Sequence, residues 1–516
     1  MIKNIVIVGG GAAGWLTAGI LAANYAKADN RAVSITLVES PDINTIGVGE
    51  GTWPTMRMTL SQIGVSETEF LRCCNASFKQ GSKFVNWSHG EGGDAYYHPF
   101  TIPQAYNETN FHALWQRHFS NSAYDAVANP QAAICELSCA PKNITVPEYA
   151  GVLNYGYHLD AGKFGDLLKR HCTEKLGVRH VSDNVIQVVA AEDESIAYLK
   201  TEKSGDIHGD LFVDCSGTHC LLLGEHYNIP FKDCRQYSIN DTALATQVPY
   251  DNQNSPIASA TIATAHSAGW TWDIGLSSRR GVGYVYSSQH ISDDDAEKEL
   301  RAYIGSSVES SVAEQLSVRK IKIRAGHREK FWHRNCVAVG MAAGFIEPLE
   351  ASALALVELS AKFIRDELPM SSSTIPLVEK RFNTTFSYRW EKIIEFLKLH
   401  YLISQRRDTA YWCEVSDPAS APDGLKELLE LWKFRPPYHH DLLHTEEIFP
   451  SASYQYVLYG MGFETSADMK APEGNSEQKF LRQVRESIQQ AEKLSGSLPS
   501  NRALLQTIEK HELQKI

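Results

Sequence analysis

The chain has 516 residues, of which 43% are hydrophobic and 21% charged, a composition typical of a large globular protein with a sizeable buried core. Its net charge of −12 comes from 61 acidic and 49 basic residues scattered along the sequence. Because no block of Lys and Arg could follow a phosphate backbone, the composition argues against a nucleic-acid partner.

The apolar run near the N-terminus is interrupted by glycines and lacks a following cleavage site, so we assign it to the fold rather than to a signal peptide. No other stretch reaches the roughly 20 apolar residues of a membrane span. The sequence thus predicts a cytoplasmic protein without a membrane segment. The ten cysteines fit reduced thiols, and Cys135 and Cys139 lack a partner pair for zinc, so we expect no metal.

The first predicted elements form a strand, a glycine turn, a helix and a second strand. Gly9, Gly11 and Gly14 give G-x-G-x-x-G directly after the first strand, so that backbone amides and a helix N-terminus can approach a pyrophosphate. Glu39 ends the second strand, where a carboxylate would accept hydrogen bonds from ribose hydroxyls. This βαβ unit predicts a dinucleotide site, but it does not separate NAD from FAD.

The rest of the chain suggests a box followed by a helical lobe. A Gly- and Thr-rich loop spans 46–55, and residues 56–150 look like an insertion with many aromatic side chains. Strand patterns then alternate with helices, and a composition shift towards helical, aromatic sequence follows. We predict an α/β box over 1–370, with 56–150 lining the substrate site, and a mainly helical lobe over 371–516.

Several motifs in chain order resemble those of the flavin-dependent tryptophan halogenases. GWTWDIG resembles the W-x-W-x-I-P signature, IGVGEGTWPT the flavin strap, and NCVAVGMAAGFIEPLEASAL the segment that covers the flavin ring and holds halide. FKQGSKFVNW, YHPF, YHLDAGKF, DLFVDCSG and FLKLHY are similar to further family motifs, and together the matches run across most of the chain.

The resemblance implies a Rossmann-like FAD box of the flavin monooxygenase type with a helical substrate lobe. Gly47, Val48, Gly49 and Glu50 would add strap contacts to the cofactor. FAD would arrive as FADH2 from a separate flavin reductase, since the sequence shows no second glycine motif in a βαβ context for a nicotinamide. Oxygen would then give the flavin C4a-hydroperoxide, which halide would convert into hypohalous acid.

Two side chains match the catalytic pair of the family. Lys79 would hydrogen-bond or capture hypohalous acid beside the substrate, with Lys83 as the alternative in the same motif. Glu350 would lie opposite the lysine and orient the halogenating species or take the proton of the substituted ring. Glu347 is the alternative carboxylate, and capping of the next helix is the structural alternative for Glu350.

The halide site implied by the resemblance departs from the family pattern. Halide would bind the backbone amides of Ser352 and Ala353, where the family's E-S-T-G is replaced by Glu350, Ala351, Ser352 and Ala353. If the family glycine has positive φ, alanine at 353 would change the backbone and disfavour chloride. We therefore predict that bromide is preferred over chloride.

The W-x-W-x-I-P signature is represented by Trp270 and Trp272, with Gly275 in place of proline. The family role of the two tryptophans is to keep substrate away from the flavin and so suppress hydroxylation. The structural alternative is a pair of core indoles on opposite faces of a strand.

The residues that correspond to the family's substrate site match its pattern only in part. His98 and Phe100 match the pair that sandwiches an indole ring, and Tyr454 would supply the third wall. Ser453 and Tyr454 replace a Phe-Trp pair, which predicts that indole is accepted at least as well as tryptophan. Residues 438–440, Tyr-His-His, either contact the polar end of the substrate or are simply exposed.

The predicted function is thus an FADH2-dependent halogenase that installs chloride or bromide on an electron-rich, indole- or tryptophan-like ring. Two alternatives stay open at this point. One is a flavin-dependent aromatic hydroxylase, which would follow if the altered loop no longer bound halide. The other is a flavin- or NAD-binding protein without turnover.

Overall fold

The structure of the protein is a computed structural model that describes residues 2–26, 33–43, 49–90, 92–104, 106, 109–369, 371–444, 446–466 and 475–515. Its strands are β1 (Asn4–Val8), β2 (Ser34–Glu39), β3 (Gly49–Gly51), β4 (Ser77–Lys79), β5 (Gly81–Val85), β6 (Ala95–Pro99), β7 (Gly156–Asp160), β8 (Arg179–Ser182), β9 (Val185–Ala190), β10 (Ile196–Thr201), β11 (Asp206–His208), β12 (Leu211–Asp214), β13 (Phe231–Asp233), β14 (Thr242–Pro249), β15 (Thr261–Ala265), β16 (Gly269–Gly275), β17 (Arg279–Tyr286), β18 (Arg319–Lys322), β19 (Gly326–Arg328), β20 (Trp332–His333), β21 (Cys336–Ala338) and β22 (Gly344–Phe345).

The helices carry most of the regular structure in the last third of the chain. They are α1 (Ala12–Ala26), α2 (Thr55–Ile63), α3 (Glu67–Cys73), α4 (Phe111–Phe119), α5 (Tyr124–Ala128), α6 (Gln131–Glu136), α7 (Ala161–Glu174), α8 (Asp293–Gly305), α9 (Ser310–Gln315), α10 (Ala353–Asp366), α11 (Ile375–Leu402), α12 (Ala410–Val415), α13 (Asp423–Trp432), α14 (Ser451–Gly460), α15 (Asn475–Ser497) and α16 (Asn501–Lys510). None of the helices formed by the described residues is long and apolar enough to cross a membrane.

The described residues form two compact units that each contain several stretches of the chain. The first unit comprises 1–76, 159–234 and 324–390, and the second comprises 77–158, 235–323 and 391–516. These ranges differ from the predicted boundaries at 370 and 371, because strands from the predicted insertion pair with strands β14–β18 in one sheet.

The first unit is built around a six-stranded sheet in the order β20-β21-β12-β1-β2-β8. Strand β1 is parallel to both β2 and β12, and its last four residues are buried. A parallel strand buried on both faces reads as a continuous apolar run, which explains the sequence Asn4–Val8. Helix α1 packs against β1 and β2, and α7 and α10 pack against α1, so the predicted Rossmann-like βαβ unit is present.

The second unit contains a seven-stranded sheet in the order β18-β14-β17-β16-β15-β5-β6. Its pairs are antiparallel except for β15 with β5. All seven residues of β16 are buried, as expected for a central strand covered on both faces. Beyond residue 371 the regular structure of the described residues is helical, in agreement with the predicted composition shift.

Candidate functional site

The glycine turn between β1 and α1 depends on close backbone contacts. Gly9 has a φ of 118°, and a Cβ on it would lie 2.2 Å from the Cys215 carbonyl oxygen. A Cβ on Gly14 would lie 1.9 Å from the Gly9 carbonyl oxygen. Glycine is therefore required at both positions for the strand, turn and helix to pack. Gly11 differs, because a Cβ there would meet no described atom within 4 Å.

Glu39 lies directly beside this turn. Its carboxylate accepts a hydrogen bond from the Trp15 indole at 3.2 Å and forms an ion pair with Lys169. A Cβ on Gly10 would lie 1.7 Å from the Glu39 carboxylate, so the glycine also allows this close approach. The open space at Gly11 and the neighbouring carboxylate fit the pyrophosphate and ribose of a dinucleotide.

The predicted strap is described only in its second half. Gly47 and Val48 lie outside the described residues, whereas Gly49 and Glu50 belong to β3, where Gly49 is buried and Glu50 half-buried. Their role in cofactor binding stays a prediction.

The loop between β22 and α10, residues 346–352, carries the predicted catalytic carboxylate and is here termed the glutamate loop. Glu350 is 8% exposed, whereas the alternative Glu347 is 1% exposed. Glu350 and Ala351 have φ values of 68° and 54°, so two successive residues with side chains are left-handed. Such backbone is unfavourable for residues other than glycine and commonly marks a functional segment.

The predicted halide amides lie where α10 begins. Ser352 is the N-cap, its side chain makes no capping hydrogen bond, and Ala353 is the first helical residue. The first amides of this 14-residue helix lack intrahelical acceptors and suit an anion. Ala353 itself is helical, and the left-handed residues of this segment are 350 and 351. The bromide preference stays a prediction.

Lys79 and Lys83 lie in very different surroundings in the second unit. Lys79 is 1% exposed, and its ammonium lies 5.4 Å from the centroid of the Phe100 ring. Lys83 instead pairs with Glu136 at 2.6 Å, and Glu136 is 59% exposed. The Lys83 ammonium also lies over a ring, 5.3 Å from the Tyr97 centroid, so the two lysines differ in burial and in the ion pair with Glu136. The geometry therefore favours Lys79 over Lys83 as the functional lysine.

His158 was not singled out from the sequence, yet it lies on the strand that pairs with Lys79. In the β4–β7 pair, Ser77 is opposite His158 and Lys79 is opposite Gly156. Since residues two apart share a face of a strand, Lys79 and His158 are diagonal neighbours. Burial and the charge of Lys79 lower the pKa of His158 well below its usual range. The imidazole is therefore neutral beside the ammonium.

His98 and Phe100 are brought near this lysine by the end of β6. His98 is opposite Ser82 in the β5–β6 pair, and the Phe100 amide donates to the Gln80 carbonyl at 3.0 Å. The Nε2 atom of His98 hydrogen-bonds the Ser453 hydroxyl at 2.9 Å. The predicted sandwich residues thus lie in one unit with Lys79.

Helix α14 carries the predicted third wall, but its two candidate residues behave differently. Ser453 contacts His98, whereas Tyr454 is fully buried with its ring 4.8 Å from Phe396 and 5.2 Å from Trp432. This arrangement favours Ser453 as the α14 residue that faces a ligand beside His98. Residues 438–440 are exposed, as the structural alternative for them expects.

Trp270 and Trp272 are core residues of β16. Their ring centroids are 6.4 Å apart, and Trp270 is also 6.3 Å from Trp87. They lie on the same face of the strand, so the expectation of opposite faces is wrong, because residues two apart along a strand point to the same side. The Gly275 carbonyl, at the signature's proline position, accepts a hydrogen bond from Ser77 at 2.5 Å.

Sequence reasoning also missed Trp53, whose indole N–H donates to the Glu350 carbonyl at 2.9 Å. Its position within the predicted strap, next to Pro54, was the available signal. The partner lies 297 residues away, which no local pattern reveals.

Comparisons with known proteins agree with this geometry. The sequence profile of the tryptophan halogenase family matches residues 4–474. Tryptophan 6-halogenase SttH of Streptomyces toxytricini is 33% identical over 480 residues, which cover 89% of each chain. A crystal structure of a tryptophan halogenase from Shewanella frigidimarina NCIMB 400 has a TM-score of 0.97 and 46% identity, and the match covers 100% of this chain and 99% of the other.

Tar14, a tryptophan C-6 flavin-dependent halogenase from taromycin biosynthesis, superposes with a TM-score of 0.90 at 32% identity, covering 98% of this chain and all of its own. The predicted α/β fold with a Rossmann-like FAD box is thereby confirmed, and the hydroxylase and the inactive binding protein are disfavoured. The glycine turn, the buried lysine and the extent of these matches together establish that the chain belongs to the tryptophan halogenase family and is a flavin-dependent halogenase.

Proposed function

We propose that this halogenase uses FADH2, oxygen and chloride or bromide to halogenate an electron-rich ring of the indole or tryptophan kind. The observation that carries this proposal is the buried Lys79 ammonium over Phe100, in the same unit as His98. The names of SttH and Tar14, both tryptophan 6-halogenases, support an indole as the substrate class.

Gly9, Gly11, Gly14 and Glu39 would hold the FAD pyrophosphate and ribose, with Gly49 and Glu50 nearby in sequence. Reduced flavin, when bound, supplies with oxygen the oxidising power that turns halide into hypohalous acid. A separate reductase, acting through free FADH2 in the cytoplasm, would provide it. The space beside Gly11, where a Cβ would meet no described atom within 4 Å, leaves room for the pyrophosphate.

The amides of Ser352 and Ala353 would bind halide at the start of α10. These groups carry the partial positive charge of a helix N-terminus, and no side chain is needed for the contact. The loss of the family's hydroxyl and glycine therefore leaves the donors in place. Whether chloride or bromide is preferred stays a prediction.

Lys79 and Glu350 would divide the substitution step between them. The Lys79 ammonium would hydrogen-bond the oxygen of hypohalous acid and give it a proton, so that this oxygen leaves as water while the halogen bonds to a ring carbon. The Glu350 carboxylate would accept the proton that the same carbon then loses. A neutral His158 adds no second positive charge next to Lys79.

His98 and Phe100 would sandwich the substrate ring, and the ring carbon that faces Lys79 would be the one halogenated. Lys79, which lies beside Phe100, and His98 are both buried. Their burial keeps this geometry fixed. Ser453, hydrogen-bonded to His98, replaces a large aromatic residue and leaves the side chain at this position small.

The test compares Lys79→Ala and Glu350→Gln with the matched control Lys83→Ala. We expect the first two to lower the rate of halogenated product by about 10²–10⁴-fold, the usual range for a positioned acid or base, while FAD affinity is unchanged. Lys83→Ala should retain near-normal rates, because its ammonium pairs with Glu136 at the surface. The assay supplies a flavin reductase, chloride or bromide, and indole or tryptophan, with products identified by mass.

Two results would contradict the proposal. Near-normal halogenation by Lys79→Ala would remove the assigned role, and loss of activity in Lys83→Ala instead would move it to the surface lysine. If the main product had the mass of a hydroxylated substrate, halide would not be used.

A further inference from the structure

The glutamate loop adopts a backbone that its own sequence does not favour. Glu350 and Ala351 are both left-handed, with φ of 68° and 54°, and neither is glycine. The Ala351 amide donates to the Pro348 carbonyl at 3.0 Å, which closes a tight turn. Two successive residues with side chains in this region persist only where surrounding contacts enforce them.

The enforcing contacts come from the segment 53–59, which begins just before α2. The Trp53 indole N–H donates to the Glu350 carbonyl at 2.9 Å. Thr55 donates to a Glu358 carboxylate oxygen at 3.0 Å, and Thr59 donates to the other oxygen. Glu358 is 1% exposed and lies in α10, two turns beyond the glutamate loop. The same segment therefore anchors both the loop and the helix that follows it.

The Glu350 carbonyl belongs to the peptide group between Glu350 and Ala351. That peptide group joins the two left-handed residues, so its orientation constrains the backbone between the Glu350 side chain and the amides of Ser352 and Ala353. A single hydrogen bond from Trp53 thus acts on the carboxylate and on the predicted halide amides together.

We infer that Trp53 is a positioning residue, which holds Glu350 and Ala351 in the left-handed conformation and so sets the directions of the Glu350 carboxylate and the 352–353 amides. This inference rests on the proposed function of Glu350. In this role Trp53 acts through the backbone of the glutamate loop, and the role requires no contact with substrate or flavin.

The first unit contains a second instance of the same contact, far along the chain from the loop. The Trp332 indole donates to the Arg334 carbonyl at 2.8 Å, and Arg334 has a φ of 54°. An indole N–H that holds a left-handed residue is thus used twice in this unit. Trp332 supplies a matched control that leaves the glutamate loop untouched.

The experiment uses Trp53→Phe, which removes the N–H and keeps an aromatic ring. We expect at least a tenfold loss of halogenated product with FAD affinity changed by less than twofold. In flavin-free protein, hydrogen–deuterium exchange of the Ala351 amide, which donates to the Pro348 carbonyl, should become at least tenfold faster. Trp332→Phe should leave exchange of this amide and halogenation within twofold of the parent.

Rescue separates positioning from a general structural role. Because glycine adopts positive φ without strain, Ala351→Gly in the Trp53→Phe background should restore slow exchange and at least half of the lost rate. A variant that had merely lost packing around Trp53 would not be rescued by a change at residue 351. The melting temperature, measured for every variant, excludes global unfolding as the cause.

Unchanged exchange of the residue-351 amide in Trp53→Phe, or failure of Ala351→Gly to restore slow exchange, would overturn the inference. These readouts need neither flavin nor a catalytic glutamate. If Glu350→Gln kept full halogenation, the proposed role of Glu350 would fail, while the exchange and rescue results would still decide the role of Trp53.

Discussion

The glycine turn of the first unit and the Lys79 region of the second unit constrain their residues in different ways. In the glycine turn the constraint lies in the backbone, since a Cβ on Gly9 or Gly14 would overlap a carbonyl oxygen. In the second unit side chains decide, since Lys79 lies over Phe100 and His98 is held by Ser453. A backbone constraint admits one residue type, whereas a side-chain contact admits several pairs. This difference explains why the glycine turn follows the family pattern and the 453–454 wall does not.

The sharpest test of the backbone constraint compares Gly14→Ala with Gly11→Ala. The Gly14 Cβ would lie 1.9 Å from a carbonyl oxygen, so we expect several kcal/mol of destabilisation and no FAD binding. Gly11→Ala should keep the parent melting temperature, because its Cβ meets no described atom within 4 Å, yet lower FAD affinity by more than tenfold. Thermal unfolding and FAD titration measure both.

Equal melting temperatures for the two variants would show that the turn tolerates a side chain at Gly14. Unchanged FAD affinity in Gly11→Ala would show that the open space beside it is not part of the cofactor site. Either result would contradict the assignment of a backbone constraint to the glycine turn and of side-chain contacts to the second unit.

The predictability of the site follows the same division. The βαβ unit and Glu39 could be predicted because strand, glycine spacing and acid all lie within about 40 residues, where sequence patterns are informative. Lys79 and Glu350 could be predicted only through resemblance to a family. The contacts of Trp53 and Ser453 could not, since their partners lie 297 and 355 residues away in the chain.

The Rossmann-like box was likewise easier to predict than the unit boundaries. Buried parallel strands such as β1 are recognisable as continuous apolar runs. The second unit instead joins β5 and β6 to a sheet built mainly from 242–322, and such long-range pairing leaves no local signal. The two left-handed residues of the glutamate loop escaped prediction for a related reason, because neither Glu350 nor Ala351 is of a type that favours positive φ.

A smaller effect is expected from the side-chain contacts of the second unit. Ser453→Ala removes the hydroxyl that hydrogen-bonds His98, and a neutral hydrogen bond contributes about 0.5–1.5 kcal/mol. We expect the KM for the aromatic substrate to rise by roughly 2- to 10-fold, since 1.4 kcal/mol is tenfold in binding, with FAD affinity unchanged. Steady-state assays with indole and with tryptophan measure the change.

Ser451→Ala is the matched control for this substitution. Ser451 begins the same helix α14, is also buried, and hydrogen-bonds the Tyr106 hydroxyl instead of His98. Its loss should leave the KM within twofold. If both variants changed the KM equally, the effect would belong to the packing of α14 and not to His98.

The smallest expected effect is on the stability of the second unit at acidic pH, which its buried histidines lower. Burial lowers the pKa of His112 to about 3 and that of His266 to about 4. Unfolding returns each imidazole to a pKa near 6.5, so the unfolded state binds more protons between the two values. The stability that these neutral imidazoles contribute is therefore complete above pH 6.5 and is lost as the pH falls towards the folded pKa.

His112→Phe isolates one of these groups, because His112 stacks on Tyr459 with ring centroids 3.8 Å apart and a phenyl ring can keep that contact. Between pH 7 and pH 5.5 the parent should lose about 1 kcal/mol of unfolding free energy through this histidine alone. The variant should lose correspondingly less over the same interval, as measured by urea unfolding at each pH. At pH 5.5 the amides around α4 and α14 in the second unit should exchange more slowly in the variant than in the parent. Exchange in the glycine turn of the first unit should be the same in both proteins. An identical pH dependence in parent and variant would mean that the pKa of His112 is the same in the folded and the unfolded protein, and the second unit would then owe its acid sensitivity to other groups.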